Sequence, residues 1–108
     1  MKRMYRQGDV LIVETDAIPA SRPVPAENGR AVLAHGEATG HHHSYGTGRA
    51  TLFREDGSGS GLYLQVTGSA PAALEHQEHD TIPTPVGNYA VIRQREWDAI
   101  GRARQVAD

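Results

Sequence analysis

The chain contains no cysteine. Disulfides and thiolate metal sites are therefore excluded, and any metal ion must be held by nitrogen and oxygen donors. There is also no apolar run of membrane-spanning length, and none of signal-peptide length follows the basic start Met1-Lys2-Arg3-Met4-Tyr5-Arg6. Those two absences set the expectation of a soluble, cytoplasmic protein with no membrane partner. Neither sign of charge dominates. A net charge of -2 argues against a nucleic-acid partner bound through bulk electrostatics, although Arg93, Arg95 and Tyr89 would suit such a surface.

What is present is turn-forming residues and short apolar runs. The 108 residues include 12 glycines and 6 prolines, with 38% hydrophobic residues, enough for one domain over residues 1–108 with a thin core. Val10-Leu11-Ile12-Val13-Glu14 is apolar on both faces, as a central strand is. Residues 15–29, with three prolines, read as an irregular connection. Strands are expected at Arg30–His35, Arg49–Arg54, Leu62–Val66 and Tyr89–Arg95. A shorter one ends near His76, a turn-rich link covers 81–88, and a short helix is capped by Asp98. The order predicts an all-β fold, a small β-barrel or two-sheet sandwich with a short C-terminal helix.

Five of the six histidines fall in two windows about thirty residues apart, Thr39-Gly40-His41-His42-His43-Ser44 and Leu74-Glu75-His76-Gln77-Glu78-His79-Asp80. On a strand, side chains two apart share a face. His41 and His43 then form one pair, while His42 points away and His35 lies at a strand end. His76 and His79 are three apart, so they reach a common point only if a tight turn lies between them. A fold that joins the pairs would hold a divalent transition metal, Zn²⁺ first among Fe, Mn, Ni and Cu. Glu78 and Glu37 are the candidate catalytic carboxylates, as a fourth ligand or as a base toward water activated by the ion. Asp80 or Glu75 could orient a ligand. A glycine-flanked histidine run can equally be an exposed loop that binds metal as a purification tag does. The spacing of His76-Gln77-Glu78-His79 is one residue short of the zinc-protease pattern.

Gly36-Glu37-Ala38-Thr39-Gly40-His41-His42-His43, His76-Gln77-Glu78-His79, Pro85-Val86-Gly87-Asn88-Tyr89 and Gln94-Arg95-Glu96-Trp97 together resemble a family of short bacterial and phage proteins of uncharacterised activity. The resemblance implies that His41, His43, His76 and His79 are the family positions, and that His35 and His42 are not. A weaker likeness is to cupins, β-barrels with a His-x-His strand and a later histidine. Here no glutamate follows His43 until Glu55 and no histidine follows Gly87, so the cupin ligand set is absent.

Two functions follow as expectations. One is a metal-dependent hydrolase acting on a small-molecule substrate. The other is a non-catalytic module, phage-associated, whose histidines staple the fold or the interface of a homo-oligomer.

Overall fold

A computed structural model describes residues 2–36, 40–46, 48–57 and 61–94. Ten strands run β1 (Met4–Gln7), β2 (Val10–Thr15), β3 (Ser21–Val24), β4 (Arg30–His35), β5 (His42–Gly46), β6 (Ala50–Glu55), β7 (Leu62–Val66), β8 (Ala72–Leu74), β9 (Ile82–Thr84) and β10 (Gly87–Arg93). The all-β class is as the sequence predicts. The described strands do not close into a barrel. Six form one sheet in the order β1-β2-β10-β7-β6-β3, and β4-β5 and β8-β9 form two ribbons. The ribbons are joined by a two-way backbone bridge, in which Ser44 N–H donates to Glu75 C=O at 3.0 Å and Glu75 N–H to Ser44 C=O at 2.8 Å. The predicted C-terminal helix lies outside the described residues. Among the described residues no helix is long and apolar enough to cross a membrane.

The strands form where the alternation is strongest. In β2, which β1 and β10 pair on its two edges, Val10 and Ile12 face the core and are fully buried while Leu11 and Val13 on the opposite face are half-buried. In β7, Leu64 and Val66 turn inward against Leu52 of β6 and Tyr89 of β10. One core cluster draws on the large sheet and on both ribbons, from Val10 and Leu64 to Leu33, Tyr45 and Leu74.

Four strands, β1, β3, β5 and β9, have no counterpart among the expected ones, and all have polar or proline-containing sequences. β1 is basic, but it is an edge strand and pairs with β2 from Met4↔Val13 to Gln7↔Val10. β3 interrupts the predicted irregular connection, with Pro23 opposite Phe53 of β6. Its edge position tolerates a residue with no N–H. β9 carries Pro83 inside the predicted link and pairs only with β8.

Two tight turns aim the chain toward the histidines. Gly8, at φ +59°, takes the first central position of the two-residue β1–β2 turn, the glycine position of a type II′ hairpin, and Asp9 follows it. Asn28 and Gly29, at φ +50° and +75°, form the left-handed pair of a type I′ turn between Glu27 and Arg30, which launches β4. The ribbons are also tied by side chains. The fully buried Tyr45 of β5 shares a 2.8 Å hydroxyl bond with Thr84 of β9, and burial holds its phenol above the ordinary value. Tyr45→Phe should cost about 1 kcal/mol, read as a lower urea midpoint with an unchanged slope.

Candidate metal centre

The bridge between Ser44 and Glu75 sets the site. In an antiparallel pairing of 44 with 75, residues 43 and 76 stand opposite one another, and the His43 and His76 ring centroids are 4.3 Å apart. His42 N–H donates to Gln77 Oε1 at 2.8 Å and continues the register. The chain then bends through 77–79 and returns His79 to 4.6 Å from His76 and 6.0 Å from His43. His41 reaches the same cluster from the other end of the window, 5.6 Å from His76. The four histidines predicted from sequence are thus brought together, and the turn that His76 and His79 require is present. His42 and His35 lie apart: their rings neighbour each other at 6.4 Å, with His42 Nδ1 2.9 Å from Ser44 Oγ and His35 on Glu27 at 2.9 Å.

Two imidazoles on one tetrahedral ion, at the usual nitrogen–zinc distance, hold their centroids about 5 Å apart. The observed separations of 4.3 to 6.0 Å bracket that value. Ring orientation does not yet match it. Among the described residues no three histidine, aspartate or glutamate side chains form a ready cage. The rings of His43 and His76 are tilted by only 32° and partly stack. His76 Nδ1 also accepts the Glu78 backbone N–H at 3.0 Å, which in the neutral ring puts the proton on Nε2. Loading an ion through His76 Nε2 would require the proton to move to Nδ1, which ends the bond from Glu78.

The buried end of the cluster contains residues that the sequence reading passed over. Gln7 Nε2 donates to the carbonyls of Leu74 and Asp80, both at 2.9 Å. That fixes its amide, so Oε1 is the acceptor facing His43 Nδ1 at 2.9 Å. His43 therefore carries its proton on Nδ1 and presents a lone pair on Nε2, the arrangement that hydrogen-bonded metal-ligating histidines show. Asp9, 2% exposed, lies on the other side, with Oδ1 3.6 Å from His43 Nε2 and Oδ2 bonded to Arg93 Nη2 at 2.9 Å. Burial, then the neighbouring His76, push the His43 imidazole down to about 4, although Asp9 pulls the other way. His43 is a neutral ring at physiological pH.

The other end is open. Glu78 is mostly exposed and sits on the rim, with Oε1 3.5 Å from His41 Nδ1. Glu37 lies outside the described residues. Asp80 acts through its carbonyl on Gln7, and Glu75 pairs with Arg30. Arg93, named from sequence with Arg95 and Tyr89 as suited to a nucleic-acid surface, is the partner of Asp9; Arg95 lies outside the described residues. No spacing in the sequence signals Asp9, because a carboxylate after a turn glycine usually faces water. The one available signal is that Gln7-Gly8-Asp9 leads straight into a strand apolar on both faces.

The fold and the cluster together define an all-β domain with an internal group of histidines against a buried carboxylate. The chain belongs to the family described as Domain of unknown function (DUF8820), whose model matches residues 6–94 and so takes in Gln7, Asp9, the four histidines and Arg93. Comparison with curated proteins and with solved structures gave no match.

Proposed function

We propose that this chain binds one divalent transition-metal ion in the histidine cluster, with zinc the best fit to a nitrogen and oxygen donor set of this kind. The observation that carries the reading is the neutral, pre-oriented His43. Its Nδ1–H is held by Gln7, and the rings of His76 and His79 lie 4.3 and 6.0 Å from its own. A bound ion would supply Lewis acidity, and Glu78 on the exposed rim is suited to take a proton from water beside His41. That combination supports hydrolysis of a small-molecule substrate.

A second reading rests on how the cluster is built. Its residues come from β5 and the residue before it, from the bend after β8, and from the end of β1 with the turn that follows, three parts of a small fold. An ion there would cross-link them as a staple, within the chain or at the interface of a phage-associated homo-oligomer.

Elemental analysis of untagged protein tests the shared claim. Wild type should carry close to one equivalent of metal, and His43→Ala and His76→Ala should lose it. Wild type without stoichiometric metal after zinc exposure would refute both readings. Glu78→Gln separates them: under the hydrolytic reading it retains metal and loses turnover. Under the staple reading it changes little, while chelation lowers the melting temperature by several degrees or dissociates an oligomer.

A further inference from the structure

We infer that Asp9 is itself a ligand of the ion, making the centre a mixed histidine–carboxylate site with its deepest donors in the β1–β2 turn and β5. The inference rests on the metal-binding reading above and adds a donor to it. Two donors of one tetrahedral ion, each at about 2.0–2.1 Å, stand about 3.4 Å apart. His43 Nε2 and Asp9 Oδ1 are 3.6 Å apart, and both side chains are buried. A hydrogen bond between them would need about 2.7–3.2 Å. It would also need a proton on Nε2, whereas the Gln7 amide assigns the imidazole proton to Nδ1. The two atoms thus stand at the separation of two ligands on one cation, and beyond that of a hydrogen bond.

Neighbouring residues hold Asp9 in that pose. Arg93 Nη2 engages Oδ2 at 2.9 Å, which sets the carboxylate's rotation and leaves Oδ1 on the histidine side. The Asp9 carbonyl accepts Gln94 N–H at 2.7 Å, so the turn is anchored to the end of β10. The II′ geometry at Gly8 sets the direction of the side chain that follows. A carboxylate with imidazoles selects Zn²⁺, Fe²⁺ or Mn²⁺ over Cu⁺. It also lowers the net charge of the loaded site, which suits a centre with one end closed to water.

The test uses the full, untagged chain and two probe ions. In Zn²⁺-loaded wild type, anomalous diffraction or X-ray absorption should find an oxygen of Asp9 about 2.0–2.2 Å from zinc. Asp9→Asn should weaken Co²⁺ binding by more than about 100-fold, beyond the loss expected of a group that only orients a ligand, and should shift the visible Co²⁺ bands. Asp16→Asn, an exposed carboxylate paired with Lys2, should leave both unchanged. Zinc held by histidines alone, with Asp9 outside bonding distance, would overturn the assignment and leave the metal-binding reading intact. Wild type that takes up neither Co²⁺ nor Zn²⁺ would overturn both. The wild-type measurement decides the matter even if Asp9→Asn fails to fold.

Discussion

Gln7→Ala should destabilise the protein by about 3–5 kcal/mol, although the residue is polar and lies at the end of an edge strand. Gln7 is 2% exposed, and each polar atom of its amide is engaged: Nε2 donates to Leu74 C=O and Asp80 C=O, and Oε1 accepts from His43 Nδ1. Truncation leaves the Leu74 carbonyl and the His43 N–H buried without these partners, at about 1–3 kcal/mol for each that fails to find another, while the partly exposed Asp80 carbonyl can turn to water. A water entering the space would recover part of the loss. Against a total stability of about 5–15 kcal/mol for a domain this size, the variant should be near its unfolding threshold. Gln65→Ala is the matched control. Gln65 is half-buried, its one bond to Asn88 is a long 3.4 Å, and its loss should cost under about 1 kcal/mol. Urea denaturation of both variants checks the contrast, and equal midpoints would show that the Gln7 amide bonds contribute nothing net. Gln7→Ala should also weaken metal binding by about 10–100-fold, because His43 loses the bond that fixes its tautomer.

What was legible in the sequence follows the range of the interactions involved. Arg30–His35 and Leu62–Val66 were read with the bounds the structure has, because a run of apolar residues between turns signals a strand locally. β1, β3 and β9 were not read as strands, since their own residues argue against it. Pro23 and Pro83 are tolerated only because they sit on an edge strand and in a two-strand ribbon, and that depends on partners far away in sequence.

The site divides in the same way. The two histidine pairs could be picked out by concentration and spacing, and the turn between His76 and His79 was a geometric requirement that the bend at 77–79 meets. The deeper half was not legible. Gln7 and Asp9 gain their meaning from the II′ turn and from Arg93, 84 positions along the chain from Asp9. Nothing in the spacing of Gln7, Asp9, His43 and Arg93 announces that they meet.

The metal-free protein should lose about 3 kcal/mol of stability as pH falls from 7 to 4, through His43 alone. In the unfolded chain this imidazole takes a proton near 6.5. In the folded chain burial, followed by the charge of His76, lowers that value to about 4. Between the two values the unfolded state holds a proton that the folded state lacks, so stability rises with pH across this window. The contribution is fully present above about 6.5, and it is gone below about 4. A difference of that width corresponds to about 3 kcal/mol. Urea midpoints in the presence of chelator, measured from pH 7.5 to 4, should trace this loss. His43→Gln should flatten the slope, since the replacement does not titrate and keeps a polar group near Gln7. Carboxylates and the other histidines contribute to both proteins, so the difference between the two curves isolates His43. Parallel curves would mean that the ring accepts its proton inside the fold. Zn²⁺ and the proton compete for the same Nε2, so the stabilisation gained from zinc through His43 should shrink as pH falls toward about 4. The staple and hydrolytic readings share that expectation, because it depends only on the ion meeting a neutral His43.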